Sequence, residues 1–122
     1  MANLISVVDD DISVRESLLG LFRSLGFSVM VFASAEEFLT SDHRRTTDCL
    51  ILDVRMPAMN GPELQRRLVA CQCEIPVIFI TAHGSDEEAC AQAFKDGAVD
   101  YLLKPFSEEA LLKAVHSALG SK

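Results

Sequence analysis

The sequence predicts an α/β fold, a doubly wound parallel sheet of five strands flanked by five helices. Three observations carry that prediction. Short β-rich runs alternate five times with stretches of helical periodicity, the runs are apolar on both faces, and capping or turn residues separate them. Parallel strands covered on both sides read as continuous apolar runs, not as alternating ones. Right-handed crossovers then leave a doubly wound sheet as the natural solution for five strand–helix units.

Each element has its own local reason. Leu4-Ile-Ser-Val-Val8 reads as the first strand. Ile12, Val14, Leu18, Leu21, Phe22 and Leu25 follow at helical spacing, and Gly26 supplies a C-terminal cap. Ser28 to Phe32 is the second strand, and Ser34-Ala-Glu-Glu37 has the capping-box spacing that opens a short helix with Phe38 and Leu39. Thr40 to Asp48 is polar and reads as a surface loop. Cys49 to Val54 is the third strand, apolar until Asp53.

Asn60-Gly61-Pro62 starts a helix, with Pro62 where a missing N–H costs nothing. Leu64, Leu68 and Val69 are its inward residues. Pro76 to Thr81 is the fourth strand, and Ser85-Asp-Glu-Glu88 is a second capping box. It opens a helix carrying Ala89, Ala93 and Phe94 that stops near Gly97. Val99 to Leu103 is the last strand, broken by Lys104-Pro105, and Ser107 caps a helix with Leu111, Leu112, Val115 and Leu119 inward.

A chain of 122 residues is one domain, spanning 1–122, and a hydrophobic fraction of 49% is ample for its core. The apolar runs are far shorter than the roughly 20 residues a membrane-spanning helix needs. With no basic leader at Met-Ala-Asn, the expected address is cytoplasmic. A net charge of −7 disfavours direct contact with nucleic acid. Cys49, Cys71, Cys73 and Cys90 lack the spacing of a zinc site, so all four read as structural, free cysteine being mainly a buried residue type.

In doubly wound folds, ligands sit beyond the carboxyl ends of the strands. Those ends carry Asp9-Asp10-Asp11, Asp53, Thr81 and Lys104. Two like charges about 4 Å apart repel by roughly 4 kcal/mol at an effective dielectric near 20. Clustered carboxylates therefore need a proton or a cation, and oxygen-only ligands select Mg²⁺ or a similar ion. Singly, these residues have plainer roles. Asp11 is a natural helix N-cap, Thr81 a strand end and Lys104 a solvated charge. Asp53 resists that treatment, because it closes the apolar run Leu50-Ile-Leu52.

At this point a family resemblance is visible. Val7-Val-Asp-Asp10, Leu52-Asp-Val-Arg-Met-Pro57 with Gly61, Ile80-Thr-Ala82 and Leu103-Lys-Pro-Phe106 resemble the signatures of response-regulator receiver domains of the CheY-like kind. The match is in order over nearly the whole chain. The wording Asp53-Val-Arg-Met-Pro57 and Thr81-Ala-His-Gly84 is similar to the subgroup that includes FixJ, whose members join the receiver to a helix-turn-helix domain.

The resemblance implies a flavodoxin-like strand order 2-1-3-4-5 and a role in two-component signalling. Asp53 matches the phosphoacceptor, served by a sensor histidine kinase. Asp10 ligates Mg²⁺ directly (Mn²⁺ being a substitute), Asp9 directly or through water, Asp53 as acceptor and ligand, and Arg55 through its backbone carbonyl. Asp10 with Asp11 is the other possible metal pair. Thr81 hydrogen-bonds the phosphoryl group, Lys104 forms an ion pair with it, and Ala82 leaves the acceptor accessible. Tyr101 falls at the switch aromatic, and Arg55 and His83 flank the site and tune phosphoryl lifetime.

The implied output is a changed surface on the fourth helix, fifth strand and fifth helix, and a phosphorylation-dependent homodimer through it. The chain is either a stand-alone regulator or the receiver of a longer, DNA-binding one, the subgroup favouring the second. The resemblance implies self-hydrolysis of the aspartyl phosphate, not turnover. An aspartyl phosphatase of the haloacid dehalogenase type would need a second acid where Arg55 stands. A phosphorylation-independent binding module with a relic site is a second alternative, and a flavin-binding module rests on fold analogy alone.

Overall fold

The computed structural model describes residues 3–82 and 87–120. Among them, β1 (Leu4–Val8), β2 (Ser28–Phe32), β3 (Cys49–Asp53), β4 (Val77–Thr81) and β5 (Asp100–Leu103) form one sheet. The strands are parallel throughout, in the order β2-β1-β3-β4-β5. The helices are α1 (Ile12–Ser24), α2 (Ala35–Thr40), α3 (Gly61–Ala70), α4 (Glu87–Lys95) and α5 (Glu108–Gly120). This is the predicted architecture, and β1 and β3 lie side by side at its centre.

Alternate residues of the central strands feed two separate cores. Val8, Leu50, Leu52 and Phe79 pack with Phe38 of α2 and Leu64 and Leu68 of α3. Ile5, Val7, Ile51, Ile78 and Ile80 pack with Phe22 of α1 and Leu111 and Val115 of α5. The period-2 alternation of side chains is what divides one run of apolar residues between two layers. Each fully buried Phe, Ile or Leu contributes roughly 1.5–3 kcal/mol of transfer free energy.

Caps fix where the helices begin and end. Asp11 accepts a hydrogen bond from the Ser13 amide at 2.9 Å, and Ser34 accepts one from the Glu37 amide at 3.1 Å. Asn60 and Glu63 form a reciprocal capping box, with Pro62 in the first turn. Gly26 closes the turn after α1 at a φ of 89°, a conformation that costs an L side chain energy but not glycine. The capping box at Ser85, with His83, lies outside the described residues, as do the side chains of Ala89 and Cys90.

Several local expectations are corrected. The stretch from Thr40 to Asp48 is not a free loop, since Asp42–Arg45 form a 3-10 turn. The Thr47 hydroxyl beyond it is buried against that of Ser6, 2.7 Å away. Two polar side chains inside β1 and the loop thereby satisfy one another. In α3 the inner stripe is Leu64, Gln65 and Leu68, and Val69 is 63% exposed. Val69 lies about 40° beyond Gln65, outside the arc that Leu64, Leu68 and Gln65 cover. Ile12, Leu25 and Phe94 are also exposed. Cys49 is buried and Cys73 packs at the edge of a core, whereas Cys71, on the turn after α3, faces solvent. The expectation of four structural cysteines fails at Cys71.

Candidate functional site

The parallel sheet delivers the ends of β1, β3, β4 and β5 to one edge, where Asp9, Asp10, Asp53 and Lys104 meet. Asp53 is the last residue of β3 and is 5% exposed. Its position along the chain is held from behind by Gly61, where an added Cβ would overlap the Asp53 carbonyl oxygen and stand 3.0 Å from the Phe79 ring. Glycine is required there for close approach. The Gly61 amide also bonds the Val54 carbonyl at 3.0 Å, closing the loop that follows the acid.

Asp9 is fully buried at the end of β1, and both its carboxylate oxygens are engaged. Oδ1 accepts from the Asp11 amide at 2.9 Å, and Oδ2 accepts from Lys104 Nζ at 2.9 Å. The next residue, Asp10, is exposed. Lys104 Nζ also lies 3.8 Å from Asp53 Oδ1, so one cation bridges two buried acids. Buried charges are tolerated when paired in this way. The Lys104 amide in turn bonds the Thr81 carbonyl at 2.7 Å, which ties the ends of β4 and β5 together.

One carboxylate oxygen from each of Asp9, Asp10 and Asp53 lies within 4.8 Å of the other two. That is a compact, hard, oxygen-only donor set, and it fits a small divalent cation such as Mg²⁺. Asp53 is pushed up to about 7. Burial is the largest cause, followed by the negative charge of Asp9. Lys104 pulls the other way, Asp10 adds to the rise, and a hydrogen bond from the Arg55 backbone N–H lowers it. Asp11 stands apart from the cluster as the N-cap of α1.

The remaining candidates are spread around this centre. Thr81 is buried at the end of β4. Ala82 beside it is exposed, as is Arg55. Tyr101 is half-buried on β5, its ring 6.1 Å from that of Phe79. Sequence reasoning missed Arg15, whose Nη1 donates to the Asp9 carbonyl at 2.8 Å and so anchors the acidic turn to α1. The available signal was a lone basic residue one turn into the helix that follows three acids.

Residues 5–116 match the response regulator receiver domain family. The chain belongs to that family. It is 49% identical to Nodulation protein W of Bradyrhizobium diazoefficiens over 115 residues, covering 94% of this chain and 50% of that protein. It is 41% identical to the transcriptional regulatory protein FixJ of the same organism, over 94% of this chain and 56% of FixJ. The solved response regulator StyR superposes with a TM-score of 0.92 at 46% identity, covering 99% of this chain and 61% of that one. The chain therefore spans about half the length of the curated relatives it matches. No helix among the described residues is long and apolar enough to cross a membrane.

Proposed function

We propose that Asp53 accepts a phosphoryl group from a phosphohistidine on a sensor histidine kinase, and that the modified chain acts as a cytoplasmic switch. The observation that carries this reading is the setting of Asp53. It is a buried carboxylate beside two further acids, with the Lys104 ammonium 3.8 Å away. A carboxylate so placed can act as the nucleophile, Lys104 offers positive charge to an incoming phosphoryl group, and the neighbouring acids would hold the cation that supplies the rest.

In the proposed step an Asp53 carboxylate oxygen bonds to phosphorus. The P–N bond of the donor breaks, and its electron pair returns to the imidazole. Lys104 leaves Asp9 to pair with a phosphoryl oxygen, and the Thr81 hydroxyl donates to another. Asp9, Asp10, Asp53 and the Arg55 carbonyl would hold Mg²⁺ (or Mn²⁺), which when bound neutralises the acids and the phosphoryl oxygens. Water later cleaves the aspartyl phosphate, so the chain resets its own modification and turns over no separate substrate.

The output is a population shift. Bonds from the phosphoryl group to Thr81 and Lys104 favour an arrangement in which Tyr101 turns inward, and the surface of α4, β5 and α5 changes with it. That surface would form a homodimer and control a DNA-binding domain elsewhere in a longer protein. A net charge of −7 leaves the DNA contact to that second domain.

Intact-mass analysis after incubation with Mg²⁺ and acetyl phosphate tests the reading, with Asp53→Asn and EDTA controls. The expected result is one phosphoryl group on the wild type and none in either control. No adduct and no released phosphate, under conditions that label another receiver domain, would overturn it.

A further inference from the structure

We propose that Gln65 is a positioning residue for the switch, a half-satisfied buried amide that biases α4 toward leaving its resting place. The inference rests on the phosphoacceptor reading of Asp53 and concerns how easily that site is answered. Gln65 lies on the inner stripe of α3 between Leu64 and Leu68, and is 2% exposed. Nothing about packing on that stripe calls for an amide, since its two neighbours are leucines.

A glutamine side chain offers two donor hydrogens and an acceptor oxygen with two lone pairs. Here Nε2 donates to the Asp96 carbonyl just beyond α4 at 3.3 Å, past the usual range for such bonds. Oε1 is buried and meets no donor among the described residues. Among the described residues, the polar link between α3 and the end of α4 is therefore one long bond, and it carries one orphaned acceptor. An orphaned buried acceptor loses more than a single neutral hydrogen bond returns.

The rest of the α4 seat is thin. Ala93 is the buried side chain among those described on this helix, and Phe94 is 45% exposed. Beside the seam runs a groove of about 830 Å³ lined by Gln65, Leu68, Val69, Ile75 and Gly97, among others. Any displacement that opens the seam toward this groove lets water reach Oε1. The resting arrangement lacks that hydrogen bond and the displaced one has it, so Gln65 narrows the free-energy gap between them. A leucine in its place would fill the seam and widen the gap.

The test compares wild type with Gln65→Leu, and with Gln65→Met as an unbranched check on folding. With Mg²⁺ present, the apparent affinity for beryllofluoride, a phosphoryl mimic, is expected to fall roughly fivefold in both variants, the factor corresponding to one marginal hydrogen bond. In the unliganded proteins, amide exchange at Gly97 and Ala98 is expected to slow by a similar factor. A purely structural Gln65 would shift the melting temperature alone. Unchanged or tighter beryllofluoride binding in the variants, beside a wild type that binds, overturns the proposal. If the wild type itself does not bind, the reading of Asp53 fails, and exchange decides the amide separately. Unchanged or faster exchange at Gly97 and Ala98 overturns it there too.

Discussion

Every residue of β3 is buried, whereas no residue of β5, two places along the same sheet, is fully buried. Both strands carry residues of the candidate site at their ends, Asp53 on β3 and Lys104 just after β5. The contrast separates two requirements. Holding a carboxylate among like charges needs a support that cannot yield, and β3 lies between β1 and β4 with a core on either face. Transmitting a change needs a part whose packing is cheap to disturb, and such parts come from the low-stability end of a structure. The α4 and β5 edge has that character.

The largest test of this contrast is mechanical. Phe79 on β4 is fully buried between β3 and β5, and Phe79→Ala is expected to cost about 3–5 kcal/mol in urea unfolding. Leu103 on β5 is 49% exposed, and Leu103→Ala is expected to cost under about 1 kcal/mol. Equal losses would show that the edge is as firmly built as the centre.

A second effect is electrostatic and follows from Asp53. Its carboxyl is pushed up to about 7 from an ordinary 3.8, so the folded state binds the extra proton between those values. Unfolding stability then falls as pH rises from about 4 to about 7, because the folded state holds more protons than the unfolded one. Asp53→Asn removes that slope. The variant is expected to match wild type near pH 4 and to exceed it by on the order of 2–4 kcal/mol at pH 8. Mg²⁺ added to the wild type at pH 8 should recover part of the difference. Urea titrations at several pH values measure it, and parallel stability curves for the two proteins would mean that Asp53 is not strained by its neighbours.

At the yielding edge the expected effect is on response, not stability. Tyr101 packs on Phe79 with its ring half-buried. Tyr101→Ala is expected to leave acetyl-phosphate labelling of Asp53 within about twofold while weakening phosphorylation-dependent association about tenfold, or roughly 1.4 kcal/mol. Sedimentation of labelled protein reads the second quantity. Normal association would separate Tyr101 from the switch and place the yielding part elsewhere.

The strands and the position of the acids were legible in the sequence, because buried parallel strands leave uninterrupted apolar runs and the odd residues at their ends stand out, whereas the strand order followed only from the family resemblance. Asp9, Asp10, Asp53 and Lys104 were found that way, and the structure gathers them within a few ångströms. What was illegible depends on pairing across the fold. Residue type alone sends Val69 inward and Gln65 outward, yet the width of the α3 stripe does the reverse. Ser6 and Thr47, 41 residues apart, look like a strand blemish and a loop polar residue until they bond each other. That Lys104 rests on Asp9 more closely than on Asp53 is a matter of 2.9 against 3.8 Å, which no spacing encodes.

The smallest effect lies on the loop between the rigid acid and α3. Ala58 has a φ of 64°, a left-handed conformation, while Met56 and Met59 on either side are buried in the core. The two methionines hold the loop in place, and Ala58 absorbs the turn between them. An L residue in that region costs about 1–2 kcal/mol, and glycine avoids it while losing about 0.4–1 kcal/mol through a freer unfolded chain. Ala58→Gly is therefore expected to stabilise the fold by roughly 0.5 kcal/mol. Its titration of Asp53 should match that of wild type, because burial and the charges of Asp9, Asp10 and Lys104 are untouched. A carboxyl-carbon NMR titration checks the second point. A shifted Asp53 midpoint would mean that the loop's strain is transmitted through the Arg55 amide to the acid, which would make this loop part of the yielding region and not of the rigid one.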